Sequence, residues 1–259
     1  MLKKRLVGVV TVKDGWAVQS FGYGRYLPLG KPQWLVENLD RWGADEILVQ
    51  CIDRSLRHAG PDFALLETLA GMGLGTPLIY GGGIASVEDG VRVIQAGADR
   101  ITIDALLHDA PEVMAELGRQ LGVQALVAAV PIRMHGDAPC WLEYRSRREL
   151  PLQELGLVLA GGIASELLVI DYQHEGSEGA FDTRLLDALP DWNMPLLAFG
   201  GINQVAQMQD LLARPRVAAV GIGNFLSYRE LAIQQFKEAL ASQDLRPALY
   251  AADFLHQAT

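Results

Sequence analysis

The sequence predicts one α/β domain over residues 1–259, a single (β/α)8 barrel of the TIM type with a two-fold half-barrel repeat. Eight short apolar segments alternate with eight helical segments along the chain. Continuous apolar runs are typical of parallel strands buried on both faces. Regular strand–helix alternation over about 250 residues favours a closed barrel. The predicted strands are Leu6–Val12, Glu46–Cys51, Pro77–Tyr80, Arg100–Ile103, Ala125–Val130, Glu166–Ile170, Pro195–Phe199 and Val217–Ile222.

Helix boundary signals support the segments between these strands. Ser86 precedes two acidic residues, which is typical of a helix N-cap followed by side chains that favour the positive end of the helix dipole. Gly97 follows Ala96 as a C-terminal glycine. The predicted helices are Pro32–Trp42, Pro61–Met72, Ser86–Ala96, Ala110–Leu121, Pro151–Leu159, Asp182–Leu189, Gln204–Ala213 and Tyr228–Ala241.

Two connections are longer than the usual loops of such a barrel. Gly15–Lys31 follows the first predicted strand, and Ile132–Leu150 follows the fifth. Both lie after strand C-termini, where barrel enzymes build their active sites. We therefore interpret both segments as candidate lids.

The chain also repeats itself. The segment 43–48, GADEIL, is echoed by 164–168, ASELL, and 80–84, YGGGI, is echoed by 199–202, FGGI. Such similarity indicates a duplicated half-barrel. The halves are predicted at approximately 1–122 and 123–245, with a C-terminal tail at 246–259, and two related anion sites are expected on opposite sides of one barrel opening.

Composition and charge exclude several classes of function. A formal charge of -9 disfavours a nucleic-acid or anionic-membrane surface, and no apolar stretch approaches the roughly 20 residues of a membrane span. Cys51 and Cys140 are too few for a secreted disulfide framework. His135 and Asp137 lack a third ligand at workable spacing. We expect a soluble, cytoplasmic chain without a metal site or a cofactor.

Glycine clusters follow several predicted strands and suggest phosphate binding. Glycine lets backbone N–H groups approach a phosphate closely, because no Cβ intervenes. The alternative is that these glycines form tight turns. In the first half, Asp104 stands where a neutral donor is expected, and its carboxylate repels phosphate. The predicted phosphate-binding residues are Gly82, Gly83, Gly176, Ser177, Gly200, Gly201, Gly223 and Asn224.

Polar residues at strand C-termini are the catalytic candidates. Asp171 ends the sixth predicted strand, Asp53 follows the second, and Thr11 lies at the end of the first. Paired carboxylates across a barrel opening suit general acid–base chemistry. Both aspartates can instead cap loops. His174 is interpreted as a solvated loop residue.

Charged residues begin four strands at the opposite end of the barrel. Arg5, Glu46, Arg100 and Glu166 have alternating sign and should all lie near the axis. Four such charges converging on one axis predict a salt-bridged ring that closes the bottom of the barrel. A purely structural plug is the alternative.

Together these residues resemble the cyclase subunit of imidazole-glycerol-phosphate synthase, the HisF family. The shared segments are 1–5 (MLKKR), 12–15 (VKDG), 43–46 (GADE), 81–89 (GGGIASVED) and 97–100 (GADR). The resemblance implies that ammonia from a partner HisH-like glutaminase enters the barrel bottom through a charged gate, formed by Arg5, Glu46, Arg100 and Glu166. It also implies that Asp99 lies at the glutaminase interface.

The chain departs from the family at the catalytic positions. The resemblance places Thr11 and Pro131 where the cyclase has two aspartates, and neither residue can act as a carboxylate acid or base. This pattern is similar to HisF-like proteins of surface-polysaccharide biosynthesis, which imply a HisH-like glutaminase, a separate amidotransferase and a phosphorylated or nucleotide-sugar substrate. The alternatives are a genuine histidine-pathway cyclase and a non-catalytic scaffold that activates a glutaminase and conducts ammonia.

Overall fold

The computed structural model describes residues 3–241 and 245–247. Residues 1–2 of the shared N-terminal segment, and 248–259 of the predicted tail, lie outside the described residues. The strands are β1 (Arg5–Lys13), β2 (Trp16–Phe21), β3 (Arg25–Gly30), β4 (Glu46–Cys51), β5 (Leu78–Gly81), β6 (Arg100–Ile103), β7 (Leu126–His135), β8 (Ala138–Glu143), β9 (Arg148–Pro151), β10 (Glu166–Asp171), β11 (Leu196–Phe199) and β12 (Val217–Ile222). The α-helices are α1 (Pro32–Arg41), α2 (Phe63–Ala70), α3 (Val87–Gln95), α4 (Leu106–Asp109), α5 (Pro111–Leu121), α6 (Gly156–Ala160), α7 (Arg184–Ala188), α8 (Val205–Ala213) and α9 (Ala232–Ala239).

Eight of these strands form a closed parallel barrel, which confirms the predicted fold. Their order is β1, β4, β5, β6, β7, β10, β11 and β12, and β12 pairs with β1 to complete the circle. Helices or helical turns connect successive barrel strands. The strand C-termini meet at one end, here called the mouth, and the N-termini meet at the other, here called the base.

Side chains alternate between the barrel interior and the surrounding helices. On β1 the residues Val7 and Val9 belong to the interior cluster, whereas Leu6 and Val10 pack against the helix layer. This alternation has a period of two residues. The interior cluster consists of Val7, Val9, Leu48, Ile79, Val127, Ala129, Leu168, Ile170, Leu197, Phe199 and Ala219.

The half-barrel repeat is visible in the backbone after β5 and β11. Gly82 has φ 127° and Gly200 has φ 111°, both in the left-handed region that favours glycine. A Cβ on Gly82 would lie 2.3 Å from the Cys51 carbonyl oxygen, and one on Gly200 would lie 2.4 Å from that of Asp171. Equivalent loops of the two halves therefore make the same close contact.

Both long connections fold as β-hairpins. Strands β2 and β3 pair antiparallel after β1, and β8 and β9 pair antiparallel after β7. The barrel strand β7 itself continues through Pro131 to His135, beyond its predicted end at Val130. Pro131 lies opposite Ile170 of β10, whereas on the other side of β7 the pairing with β6 ends at Ala128 and the pairing with β8 begins at Ile132.

Two predicted helices differ from the structure, and one observed helix was not predicted. The segment predicted as one helix from Pro151 is a 3-10 turn, Leu152–Leu155, followed by the short helix α6. The last predicted helix begins only at Ala232, after a 3-10 turn at Asn224–Ser227, because Leu231 adopts a left-handed φ of 59°. The helix α4 was not predicted, and it directly follows Asp104 and Ala105.

Candidate active site

The four charged residues at the strand starts meet at the base of the barrel. Arg5 donates from Nη1 to both carboxylate oxygens of Glu46, at 2.9 and 3.0 Å, and from Nη2 to Glu166. Arg100 Nη1 donates to Glu166 at 2.8 Å and lies 3.4 Å from Glu46. The two arginines and two glutamates thus form a continuous ring of alternating charge.

The ring lies in a largely dehydrated environment. Burial raises the pKa of Glu46, and the guanidinium groups of Arg5 and Arg100 oppose that shift. Burial by itself would lower the pKa of Arg5, but the charges of Glu46 and Glu166 outweigh it and raise that pKa. Arg100 is held from outside the ring by the Ser165 hydroxyl, at 2.9 Å. The arginines therefore stay charged, and each carboxylate keeps a cationic partner.

Asp99 lies beside this ring on the base surface. Its side chain is exposed, and its Oδ2 accepts a hydrogen bond of 2.8 Å from the Leu78 backbone N–H at the start of β5. The position is compatible with a partner contact. The predicted interface role stays a prediction.

At the mouth, Thr11 and Pro131 both occupy inward-facing positions. Thr11 continues the series of Val7 and Val9 on β1, and Pro131 follows Ala129 on β7. The Thr11 hydroxyl accepts a hydrogen bond of 2.8 Å from the Gln50 amide, which also donates to the Tyr23 hydroxyl at 3.2 Å. The centre of the mouth therefore contains a neutral hydrogen-bonded network.

The structure favours the loop-capping alternative for Asp171. It is fully buried, and its Oδ2 accepts 2.8 Å from the Asp182 backbone N–H and lies 2.7 Å from His174 Nδ1. Because Leu168 and Ile170 face the interior, Asp171 faces outward. Its carboxylate therefore organises its own loop, and the predicted catalytic role has no geometric support.

Asp53 also stabilises a loop. Its Oδ2 accepts 3.1 Å from the Asp14 backbone N–H and forms an ion pair of 3.1 Å with Arg57. These contacts join the loop after β4 to the turn after β1. Asp53 does not line the mouth cavity described below, so its predicted catalytic role lacks support as well.

All but one of the predicted second-half phosphate residues line one cavity of about 340 Å³, and the exception is Gly200. It lies between the loops after β10, β11 and β12, where barrels commonly hold phosphate. Two acidic residues, Glu175 and Glu178, share the lining, and burial raises the pKa of Glu175. From the predicted set the cavity is lined by Gly176, Ser177, Gly201, Gly223 and Asn224.

Several of these residues also have a packing role. A Cβ on Gly176 would lie 2.3 Å from the Ser20 carbonyl oxygen, and one on Gly201 would lie 2.8 Å from that of His174. The Asn224 side chain accepts from the Ser20 N–H at 3.1 Å and donates to its carbonyl at 2.6 Å. The turn alternative therefore explains these glycines without a ligand, and phosphate binding here stays a prediction.

We expect Asn224→Ala to destabilise the β2–β3 hairpin. The substitution leaves the Ser20 backbone N–H and carbonyl without their side-chain partner, which costs about 1–3 kcal/mol of unfolding free energy. Urea denaturation measures the change. Asn38→Ala, at an exposed position of helix α1, is the matched control, and its free energy of unfolding should stay within about 0.5 kcal/mol of the wild-type value. Equal stability of the two variants would contradict the assigned role of Asn224.

In the first half, Gly82 and Gly83 pack against the chain after β4. A Cβ on Gly83 would lie 2.2 Å from the Gly60 carbonyl oxygen, and the Gly83 N–H donates to the Ser55 hydroxyl at 2.9 Å. The carboxylate of Asp104 accepts from the Ala105 backbone N–H at 2.5 Å. A side-chain anion therefore already occupies this side of the mouth.

Asp104 is a carboxylate that faces the mouth on the side of β6, and we did not predict it as a catalytic candidate. A period-two count identifies it, because Arg100, Thr102 and Asp104 alternate onto one face of β6 and its extension, and Arg100 points to the axis. The same count from Glu46 or Glu166 places Asp53 and Asp171 outside the barrel. Residue parity relative to the charged ring was therefore the signal available in the sequence.

Within the part of the chain that the structure describes, no cluster of three metal-ligating side chains is found. No helix among those same residues is long and apolar enough to cross a membrane.

The chain is similar to proteins named for histidine biosynthesis. A family model described as "Histidine biosynthesis protein" matches residues 5–232. A Vibrio vulnificus protein, provisionally named imidazole glycerol phosphate synthase subunit hisF2, is 28% identical over 233 residues, covering 89% of this chain and 85% of that protein. The imidazole glycerol phosphate synthase subunit HisF of Natranaerobius thermophilus is 24% identical, covering 96% and 100%, and that of Bacillus licheniformis is 27% identical, covering 93% and 97%. The chain therefore belongs to the histidine biosynthesis protein family, as a HisF-like member.

Proposed function

We propose that this chain is the ammonia-accepting synthase subunit of a glutamine-dependent amidotransferase. A HisH-like glutaminase binds the base, and ammonia passes through the charged ring into the barrel. At the mouth the ammonia amidates a phosphorylated or nucleotide-sugar substrate, with or without a separate amidotransferase. Asp99 contributes to the glutaminase interface.

The ring of Arg5, Glu46, Arg100 and Glu166 carries this proposal. A buried ion network gives weak stabilisation, because desolvation offsets its attraction. Apolar residues would close the base at least as well, so the ring calls for a functional explanation. Its paired charges can exchange partners while a small neutral molecule passes, because each arginine contacts both glutamates.

The mouth favours a substrate other than the bis-phosphorylated one of the cyclase. Asp104 occupies one side with negative charge, and a phosphate there would be repelled. Thr11 and Pro131 supply no carboxyl group, while Asp53 and Asp171 are bound to backbone N–H groups of loops. The remaining glycine-lined cavity offers one other position for a phosphate, on the opposite side.

A genuine imidazole-glycerol-phosphate synthase cyclase is the second candidate, and the names of the relatives favour it. It requires another acid and base, and Asp104 is the carboxyl group at the mouth that is placed to serve. A non-catalytic scaffold that activates the glutaminase and conducts ammonia is the third candidate. The neutral network of Thr11, Gln50 and Tyr23 fits that role.

A coupled assay separates the three candidates. The purified chain is mixed with a HisH-type glutaminase and glutamine, and both glutamate release and loss of the cyclase's bis-phosphorylated substrate are followed. We expect stimulated glutamate release without loss of that substrate. Its consumption would establish the cyclase candidate. Absence of stimulation with every HisH-type glutaminase encoded beside the gene would overturn the proposal. Once glutaminase stimulation is established, the chain is offered a panel of nucleotide sugars and the formation of an amidated product is measured. The absence of any amidated product would favour the non-catalytic scaffold over the proposed synthase subunit.

Asp99→Asn provides a sharp test of the proposed interface. The amide oxygen still accepts from the Leu78 N–H, so the fold is kept, while the negative charge on the base surface is lost. We expect glutaminase stimulation to fall about tenfold, which is the effect of 1.4 kcal/mol. Asp210→Asn on the exposed surface of α8 is the matched control and should stimulate normally. Unchanged stimulation by Asp99→Asn would remove this residue from the interface.

A further inference from the structure

A second, smaller cavity of about 180 Å³ lies at the mouth on the side of Asp104. Barrel strands form its floor and the two hairpins form its walls. The volume is below the roughly 300–1,000 Å³ of sites for drug-sized ligands, so it suits a single ring-sized group. Its polar lining residues are Tyr23, Tyr26, Gln50, Ser55, Thr102, Asp104, Tyr144 and Arg147.

Asp104 presents a half-buried carboxyl group to this cavity. Desolvation raises its pKa, and the N–H of Ala105 partly offsets that rise. The Ala105 N–H also fixes the carboxyl group in place where it lines the cavity. A carboxyl group in this position can accept hydrogen bonds from a ligand in the cavity.

Tyr144 and Arg147 add hydrogen-bond donors from the β8–β9 turn. The Tyr144 hydroxyl is buried and faces the Ser55 hydroxyl, which also lines the cavity, without a well-formed hydrogen bond to it. Burial and the negative charge of Asp104 raise the pKa of Tyr144 to about 12, so its hydroxyl remains protonated. Arg147 is an exposed turn residue that also lines the cavity and interacts electrostatically with Tyr26. The turn therefore adds two hydrogen-bond donors to the cavity lining.

The turn that carries these donors is held in position over Asp104. Arg145 donates to Asp109 at 2.5 Å and to Glu143 at 3.1 Å, which joins the hairpin to the end of α4. Trp141 on β8 packs against His108, with ring centroids 4.9 Å apart. The cavity is therefore preformed, and a ligand need not order the hairpin first.

Two tyrosine rings form the opposite wall. Tyr26 is fixed by a hydrogen bond of 2.6 Å from its hydroxyl to the Tyr23 carbonyl oxygen, and Tyr23 is fixed by Gln50. Such rings offer an apolar face beside polar groups. A flat ring with hydroxyl groups at its edge matches this combination of surfaces.

We propose that this cavity binds a neutral, hydroxyl-bearing ring. Asp104 accepts hydrogen bonds from the hydroxyl groups of the ring, and Tyr144 and Arg147 donate hydrogen bonds to the ring's oxygen atoms. Tyr26 packs on the face of the ring. The negative charge of Asp104 repels a phosphate, and the guanidinium of Arg147 balances that charge, so a neutral ring is the best match for the site. The identification of this ring as part of the ammonia acceptor rests on the proposed function. The binding itself does not require it.

Ligand-detected NMR and calorimetric titration of the purified full chain test the proposal. The probes are methyl α-glucoside, methyl α-galactoside and myo-inositol as neutral polyols, and inorganic phosphate as an anion. We expect at least one polyol to bind, and Tyr144→Phe and Asp104→Asn each to weaken it about tenfold, as expected for the loss of one hydrogen bond to a buried group. Asp137→Asn, in the exposed β7–β8 turn, is the matched control and should bind normally.

Several results would overturn the proposal. They are the absence of binding by every polyol, binding that neither variant weakens, and competition by inorganic phosphate. No glutaminase is needed, so polyol binding without glutaminase stimulation would refute the proposed function and leave this site standing. Glutaminase stimulation without polyol binding would refute this site and leave the proposed function standing.

A thermal unfolding series keeps the test independent of ligand choice. The raised pKa of Asp104 means that the folded state holds this proton more tightly than the unfolded chain. Stability from this group is present below the unfolded pKa and is lost as pH rises through the folded pKa. Asp104→Asn removes that loss, so its Tm should exceed that of the wild type at pH 7, and the two Tm values should converge below pH 3.8, where the wild-type carboxyl is protonated in both states. A lower Tm at pH 7 would mean that Asp104 is a structural cap.

Discussion

Arg5→Ala is expected to lower the free energy of unfolding by about 3–5 kcal/mol, the usual effect of removing one partner from a buried ion network. Glu46 and Glu166 both lose their bonds to Arg5 and remain buried, with Arg100 as their shared cation. Urea denaturation followed by circular dichroism measures the loss. Arg119→Ala removes an exposed ion pair with Glu116 and should cost less than about 0.5 kcal/mol.

A second substitution distinguishes lost charge pairing from lost packing. Adding Glu46→Gln to Arg5→Ala removes one of the two stranded carboxylates, so the double variant should regain part of the lost stability. If the double variant is less stable than Arg5→Ala alone, packing of the arginine side chain dominates. If Arg5→Ala behaves as Arg119→Ala does, the ring is solvated and cannot act as a closed gate.

Gly200→Ala is expected to destabilise the barrel by more than about 4 kcal/mol, beyond the range of most single substitutions. The added methyl group would lie 2.4 Å from the Asp171 carbonyl oxygen, and the φ of 111° is strained for alanine. Neither the strand end nor the loop can move without disturbing the neighbouring strand. Soluble yield and thermal unfolding measure the effect.

Gly15→Ala is the control that separates backbone strain from the clash. Gly15 has φ 76°, but nothing lies within 4 Å of its added Cβ. Its substitution should cost about 1–2 kcal/mol, the usual cost of a left-handed backbone for an L-residue. If Gly200→Ala is no less stable than Gly15→Ala, close loop packing does not require the glycine at this position.

The charged ring could be predicted from the sequence because strand starts are locally encoded. Each of its members begins an apolar run, and parallel strands of a closed barrel bring their starts to one end. The glycine pairs at 82–83 and 200–201 were recognisable for a similar reason, since each directly follows a strand. Their positions were predictable, whereas the close carbonyl oxygens that explain them come from the end of a neighbouring strand or from the loop after it.

The hairpins were missed because their residues do not resemble buried barrel strands. β3 is largely exposed, and β2 buries the polar side chains of Gln19 and Ser20. Their conformation depends on partners distant in sequence, such as Glu175, which accepts from the Ser20 hydroxyl at 2.9 Å. No local pattern in residues 15–31 contains that information.

The sequence by itself determined the eight-stranded parallel barrel, its internal repeat and the position of the charged base, because these follow from apolar runs, strand spacing and residues at strand starts. Residue parity could have placed Asp104 on the inner face and Asp53 and Asp171 outside it, but only the tertiary structure showed what surrounds each carboxylate. Asp53 and Asp171 are bound within loops, and Asp104 lies in a cavity that is completed by Tyr144 and Arg147 of a hairpin more than 35 residues away in sequence. The physical reason is that a side chain's environment depends on which strands and loops pack beside it, and those neighbours come from other parts of the chain.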